Sequence, residues 1–195
     1  MLNKLNILFV GVGGQGILTA SDIAAQVGLD LGLDAKKSEV HGFAQRGGVV
    51  ESHVRWATSV GSPTCEKGQV DVLVAFELLE AARWVDWLKP DGLLLVNRQK
   101  LVPMSVTLGE AVYPDEGALL AALDERAERL VVVDALPLAE QAGNIRTVNT
   151  IMLAALSSLL DTDPGIWETA VLRRVPEKHR DVNEVAFRLG REAAG

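Results

Sequence analysis

Apolar residues fall into two spacings along this chain. Short unbroken runs predict buried strands: "NILFVG" from Asn6 to Gly11, "DVLVAF" from Asp71 to Phe76, "GLLLVN" and "RLVVVDA". "DVLVAF" has the composition of a strand covered on both faces. "AKKSEVH" reads as a further strand, and "VVESHVRW" alternates as a half-buried one does. Other segments carry helical spacing. In "GGQGILTASDIAAQVGLDLG", Ile17, Ala20, Ile23, Ala24, Val27 and Leu31 share one side. "ELLEAARWVDWL" predicts an amphipathic helix stopped at Lys89-Pro90. "LAEQAGNIRTVNTIMLAALSSLL" predicts a helix rich in small residues. "DPGIWETAVLRRV" opens with Asp163 as cap and Pro164 at the first helical position. "RDVNEVAFRLGREAA" predicts a closing helix. The order is α/β with a helical C-terminal third. Without a repeat, a low-complexity tract or a long linker, residues 1–195 are expected to form one domain.

Composition narrows the function. Apolar residues make up 48% of the 195, and the mean hydropathy is +0.18, so an apolar surface kept for a partner is expected. Nineteen basic against twenty-six acidic residues give a net charge of −7, which argues against a broad nucleic-acid surface. No run is long and apolar enough to span a membrane. "MLNKLNILFVGVGG" does not read as a secretory signal, because its apolar run passes straight into a glycine loop; a cytoplasmic location is expected. The single cysteine, Cys65, cannot form an internal disulfide or hold an iron–sulfur cluster. His41, His53 and His179 show no zinc spacing with it. Any redox centre this protein serves is expected elsewhere.

"GVGGQG" fits G-x-G-x-x-G through Gly11, Gly13 and Gly16, after a strand and before a helix. Such glycines permit a sharp turn and close ligand approach, and the helix start offers N–H groups to an anion. Glu39, near the end of the second strand, stands where a ribose-binding acid would be sought. The plain alternative is a tight β–α turn with close helix packing. Gly14 and Gln15 at the loop tip favour contact with a ligand or partner, since a turn does not require the glutamine.

A second segment, "SEVHGFAQRGGVVESHVR", gathers hydrogen-bonding side chains beside the Gly47-Gly48 pair. Taken with "GVGGQGI", it resembles the gamma subunit or domain of the 2-oxoacid:ferredoxin oxidoreductases. His-Gly before Gln-Arg-Gly-Gly is most similar to the small subunit of the indolepyruvate type. "AGNIRTVNTIMLAAL" (142–156) and "RDVNEVAFRLG" are similar to the same family's later helices, so the resemblance covers nearly the whole chain. It implies a three-layer α/β/α sandwich around a Rossmann-like open twisted sheet. It also implies a shared enzyme that oxidatively decarboxylates a 2-oxoacid, forms an acyl-CoA and reduces ferredoxin. Thiamine diphosphate and iron–sulfur clusters are then expected on the large partner subunit, and no cofactor on this chain alone. The residues agree: Asp91-Gly92 lacks the rest of a thiamine motif, and cysteines are not clustered.

The resemblance makes Gly13, Gly14, Gln15, Gly16, Gln45, Arg46, Gly47, Gly48, Asn144 and Asn149 candidates for contact with CoA or the large subunit, with no catalytic or metal-binding residue on this chain. Arg46 offers a permanently charged fork suited to phosphate or carboxylate. Its alternative is a surface ion pair that orders the turn. Glu39 and His41 are expected to pair locally and hold the following loop. His53 and Arg55 alternate along one strand face, which is either solvated or turned to the large subunit. Asn144 is either a helix cap or an interface residue. Trp84 and Trp87 are expected to cover the sheet, at least one of them, and Cys65 is expected in a loop without a role. Two further functions remain open: a free-standing NAD(P)-binding protein using Gly11, Gly13, Gly16 and Glu39, and a purely structural assembly subunit.

Overall fold

The computed structural model describes residues 3–41 and 48–195. Strand β1 (Lys4–Val12) runs into the glycine loop and helix α1 (Ile17–Asp30). β2 (Asp34–His41) and β3 (Val49–Ala57) follow as an antiparallel pair. Then come β4 (Val70–Ala75), α2 (Leu78–Trp84), β5 (Leu88–Asn97), the short α3 (Met104–Thr107), α4 (Glu116–Asp124) and β6 (Arg129–Val133). The C-terminal third holds α5 (Ala135–Ala142), α6 (Val148–Leu159), α7 (Pro164–Arg174) and α8 (Arg180–Glu192).

The strands form one six-stranded sheet in the order β2-β3-β1-β4-β5-β6. β1, β4, β5 and β6 are parallel neighbours, while β3 lies antiparallel to both β1 and β2. On one face, Ile7 and Phe9 of β1 and Val72 and Val74 of β4 pack with α1, α5, α6, α7 and α8. On the other, Leu8, Val10, Leu73 and Ala75 pack with α2 and α4. The α/β/α layering is the expected one. The alternation that strands impose explains it: each parallel strand sends successive apolar residues to opposite helical layers.

Several expected boundaries move. The second helix stops at Trp84, makes one tight turn through Trp87, and gives way to β5 before Lys89-Pro90 rather than after it. Proline is accommodated because pairing with β4 slips there, from Val70↔Leu88 to Val72↔Leu93. The long small-residue helix is two helices. Gly143 takes a left-handed φ of +98° and ends α5. β6 is an edge strand and only partly covered, so "RLVVV" is not buried along its length. Asp163 caps α7 as expected, accepting from Gly165 N at 2.9 Å.

α6 and α8 pack backbone to backbone. A Cβ on Gly190 would lie 2.4 Å from the Ile151 carbonyl oxygen. Beside it, Thr150 Oγ1 donates to Asn183 Oδ1 at 2.6 Å, and Asn183 Nδ2 donates to the His179 carbonyl at 2.7 Å. The asparagine and glycine of "RDVNEVAFRLG" thus serve to dock the last helix.

Candidate functional site

The glycine loop lies at the C-terminal edge of the sheet, where β1 meets α1. Gly16 takes φ +81° as the residue before α1, which has no side-chain cap and no acidic residue in its first turn. A Cβ there would also sit 3.2 Å from Asn149 Nδ2, so the position suits glycine on two counts. Gly11 is held by close approach instead: a Cβ would lie 2.9 Å from that of Phe76. Gly13 needs no left-handed conformation; positive φ falls on Gly14 and Gly16.

Gln15 is folded back against the loop. Its Oε1 accepts from Val12 N at 2.8 Å, and its Nε2 donates to the Phe76 carbonyl at 2.8 Å and to Gln99 Oε1 at 3.0 Å. Asn97, the buried last residue of β5, joins from the other side. Its Nδ2 donates to the same Phe76 carbonyl and to Gln99 Oε1, both at 3.2 Å, while its Oδ1 accepts from Ala135 N at 3.1 Å. Three amides thereby tie the ends of β1, β4 and β5 to the start of α5. Asn97 and Gln99 had no place among the sequence-derived candidates. Their signal was present: two amide residues directly after an apolar strand, at the sheet edge where ligands collect.

Above this network opens a cleft of about 450 Å³ lined by Gly14, Gln15, Gly16, Gln99, Arg146 and Asn149, with Leu136, Ile145 and Val148. The structure thus brings two of the candidate segments, the glycine loop and Asn149, to one cleft. Asn144 is a cap: its Oδ1 accepts from Arg146 N at 3.0 Å, which positions the arginine at the cleft.

A second cleft, about 490 Å³, lies on the far side of the loop, lined by Val12, Gly13, Val49, Leu101, Pro103 and Met104 over Glu77, Glu80 and Arg83. Buried Glu77 accepts from Glu80 N, Leu101 N and the Tyr113 hydroxyl at 2.9, 3.1 and 2.6 Å, anchoring the segment after β5. Burial and this carboxyl beside it push the Tyr113 hydroxyl pKa well up. Burial likewise raises Glu80, against the opposing pull of Arg83.

Of the second motif, Gln45, Arg46 and Gly47 lie outside the described residues. Gly48 is joined to the first motif directly, its carbonyl accepting from Gly13 N at 2.8 Å. Glu39 does not meet the glycine loop. It pairs with Lys37 at 2.7 Å on β2, and β3 lies between β2 and β1. An acid on the strand next to β1 is what a ribose contact would need.

His53 and Arg55 do share a face, with His53 buried in it and Arg55 half-exposed at its rim. His53 is 2% exposed, its Nδ1 accepts from Cys65 N at 3.3 Å, and its ring lies 5.5 Å from that of Trp87. Arg55 Nε donates to Asn6 Oδ1 at 3.0 Å, and one terminal nitrogen donates to the Ser62 carbonyl at 2.8 Å. The loop after β3 folds back over this face and removes His53 from water, leaving Arg55 half-exposed. Burial lowers the His53 pKa and pushes the Cys65 thiol up to about 12, so the cysteine is an inert packing residue. The Trp84 and Trp87 rings pack in the same layer, tilted at 47° with centroids 5.4 Å apart. Among the described residues, no three His, Cys, Asp or Glu side chains are grouped to hold a metal, and no helix is long and apolar enough to cross a membrane.

The cleft gathers amide side chains from the glycine loop, the segment after β5 and α6 at the C-terminal edge of an α/β sheet. The chain belongs to the pyruvate ferredoxin/flavodoxin oxidoreductase family, whose model matches residues 6–193. It is 38% identical to the indolepyruvate oxidoreductase subunit IorB of Archaeoglobus fulgidus, over 96% of this chain and 94% of that one. Among solved structures, it is similar to a keto/oxoacid ferredoxin oxidoreductase gamma subunit from Geobacter sulfurreducens. That match has 27% identity and a TM-score of 0.71 over 97% and 98% of the two chains. The same fold occurs within a 2-oxoglutarate:ferredoxin oxidoreductase from Magnetococcus marinus solved with coenzyme A bound. There the TM-score is 0.75 at 21% identity, covering all of this chain and 31% of the larger one.

Proposed function

We propose that this chain is the small, non-thiamine subunit of an indolepyruvate:ferredoxin oxidoreductase, acting as one domain over residues 1–195. The observation that carries the reading is the end-to-end similarity to an indolepyruvate oxidoreductase subunit. The large subunit supplies thiamine diphosphate and iron–sulfur clusters. This chain supplies a wall of the channel through which CoA reaches the acyl group, and ferredoxin takes the electrons from the complex. The complex works in the cytoplasm.

The candidate residues have distinct parts. Gly13, Gly14 and Gly16 let a ligand approach the backbone, Gln15 holds the loop, and Arg146 offers a cation at the cleft, where Asn149 forms part of the wall. Asn144 positions that arginine. The Gln45–Gly48 segment meets the large subunit or the CoA phosphates beside the loop, with Arg46 as the charged fork. The apolar surface expected from composition has a counterpart in Val102 and Met104, which are 57 and 70% exposed at the second cleft. Such a patch suits burial under a large subunit.

The test is reconstitution. The chain alone is expected to reduce no viologen dye with any 2-oxoacid. Co-produced with a large thiamine-binding subunit, it is expected to restore CoA-dependent dye reduction with indolepyruvate ahead of pyruvate or 2-oxoglutarate. A large subunit equally active without this chain contradicts the reading.

A further inference from the structure

We infer that Gln99 is a ligand-binding residue of the glycine-loop cleft, presenting its side-chain amide N–H₂ to an oxygen acceptor on the ligand. The inference rests on the reading above only in naming that ligand as CoA.

Two backbone groups set the orientation of the amide cluster. Val12 N and Ala135 N can only donate. Val12 N therefore fixes Gln15 with its carbonyl towards β1, and Ala135 N fixes Asn97 with its carbonyl towards α5. Both amides are left pointing their N–H₂ groups inward. Both donate to the Phe76 carbonyl, which fills that oxygen. Both also donate to a single atom of Gln99, at 3.0 and 3.2 Å, and an atom that receives two N–H bonds must be the carbonyl oxygen. Gln99 is thus fixed in orientation like the other two, but through their side chains: among the described residues, no backbone group bonds its side chain. Its Nε2 takes no part in the relay, and the residue is half-buried in the cleft wall beside Gly14, Gly16 and Arg146.

The arrangement selects the ligand's chemistry. A donor-only edge next to an arginine matches a carbonyl, carboxylate or phosphate oxygen and rejects a donor. A freely rotating glutamine would accept either; this one is committed by groups on β1 and α5. Preorientation also removes part of the rotamer entropy that a contact would otherwise cost.

Gln99→Glu separates binding from folding. A carboxylate keeps an acceptor for Gln15 and Asn97 and turns its second oxygen, negatively charged, towards the cleft. In the reconstituted complex, KM for CoA is expected to rise between about tenfold and about a hundredfold, from one lost hydrogen bond and added repulsion. KM for the oxoacid and the melting temperature of the free chain are expected to hold. Gln99→Met removes both edges, so it is expected to raise KM for CoA by about fivefold and also lower the melting temperature. A CoA-dependent wild type whose Gln99→Glu variant keeps KM for CoA within about twofold overturns the role of Gln99 alone. A wild-type complex that turns over without CoA contradicts the ligand assignment instead.

Discussion

The two ends of β1 hold similar side chains in opposite circumstances. At the N-terminal end, Arg55 and His53 are joined to the loop after β3, Arg55 also bonds Asn6, and Cys65 and Trp87 pack against the buried His53. At the C-terminal end, Gln15, Asn97 and Gln99 satisfy one another yet border an open cleft. Histidine, arginine and cysteine look more reactive in a sequence than three amides do. Burial reverses that ranking. Desolvation holds His53 neutral and Cys65 protonated, so the sealed end contributes stability, while the amide end is where we propose that the ligand binds.

Substitutions at the two ends should therefore separate stability from function. The largest effect is expected at Gly16. Gly16→Val places a β-branched residue at φ +81° against Asn149, costing about 2–3 kcal/mol and abolishing CoA-dependent turnover of the complex. Melting curves and steady-state kinetics together check it. Arg55→Ala comes next. It removes charged hydrogen bonds worth about 2 kcal/mol, or about 4–8 °C in melting temperature, and is expected to leave the kinetics of the assembled enzyme unchanged. A kinetic defect there would break the division between the two ends. Gln15→Ala is smaller in stability, about 1 kcal/mol, but is expected to raise KM for CoA by loosening both the loop and Gln99.

The smallest effect is in pH dependence. The folded state lowers the His53 pKa, so the unfolded chain binds the proton more readily. The contribution is fully present above the ordinary histidine pKa and is lost as pH falls through it towards the folded value. Burial raises Glu51 and Glu80, which act in the opposite sense: the folded chain holds those protons better, so stability is gained as pH falls through their folded values. His53 is isolated by difference. Between pH 7 and pH 5 the melting temperature of His53→Gln is expected to decline less, or rise more, than that of the wild type; parallel curves would remove His53 from the account.

Periodicity disclosed the α/β order and all six strands of the described sheet, because a strand buried on both faces and a helix with one apolar side leave different spacings; the three layers were implied by the family resemblance. It misplaced the end of α2, since Pro90 reads as a helix stop while a slipped strand register accommodates it. It passed over α3 and α4, whose short runs carry little amphipathic signal. In the site, the strand-to-helix turn at the glycine loop, though not its contact with Asn149, was legible from the motif. The role of Gln15 was not. A glutamine at a loop tip looks like a free contact, and only the fold reveals Phe76 and Gln99 beneath it. Glu39 misled for a related reason, because local sequence does not disclose that β3 comes between it and the glycine loop. His53 and Arg55 alternate like a wet strand face, and the loop that covers them lies beyond the strand.

The division between the two ends is tested most directly by amide hydrogen exchange on this chain, free and then assembled with its large subunit in the presence of CoA. Protection is expected to rise across residues 13–19 and 145–150, at the glycine loop and the start of α6. Residues 52–57, already paired between β1 and β2, are expected to exchange alike in both states. Added protection at 52–57, with none at the glycine loop, would contradict the account.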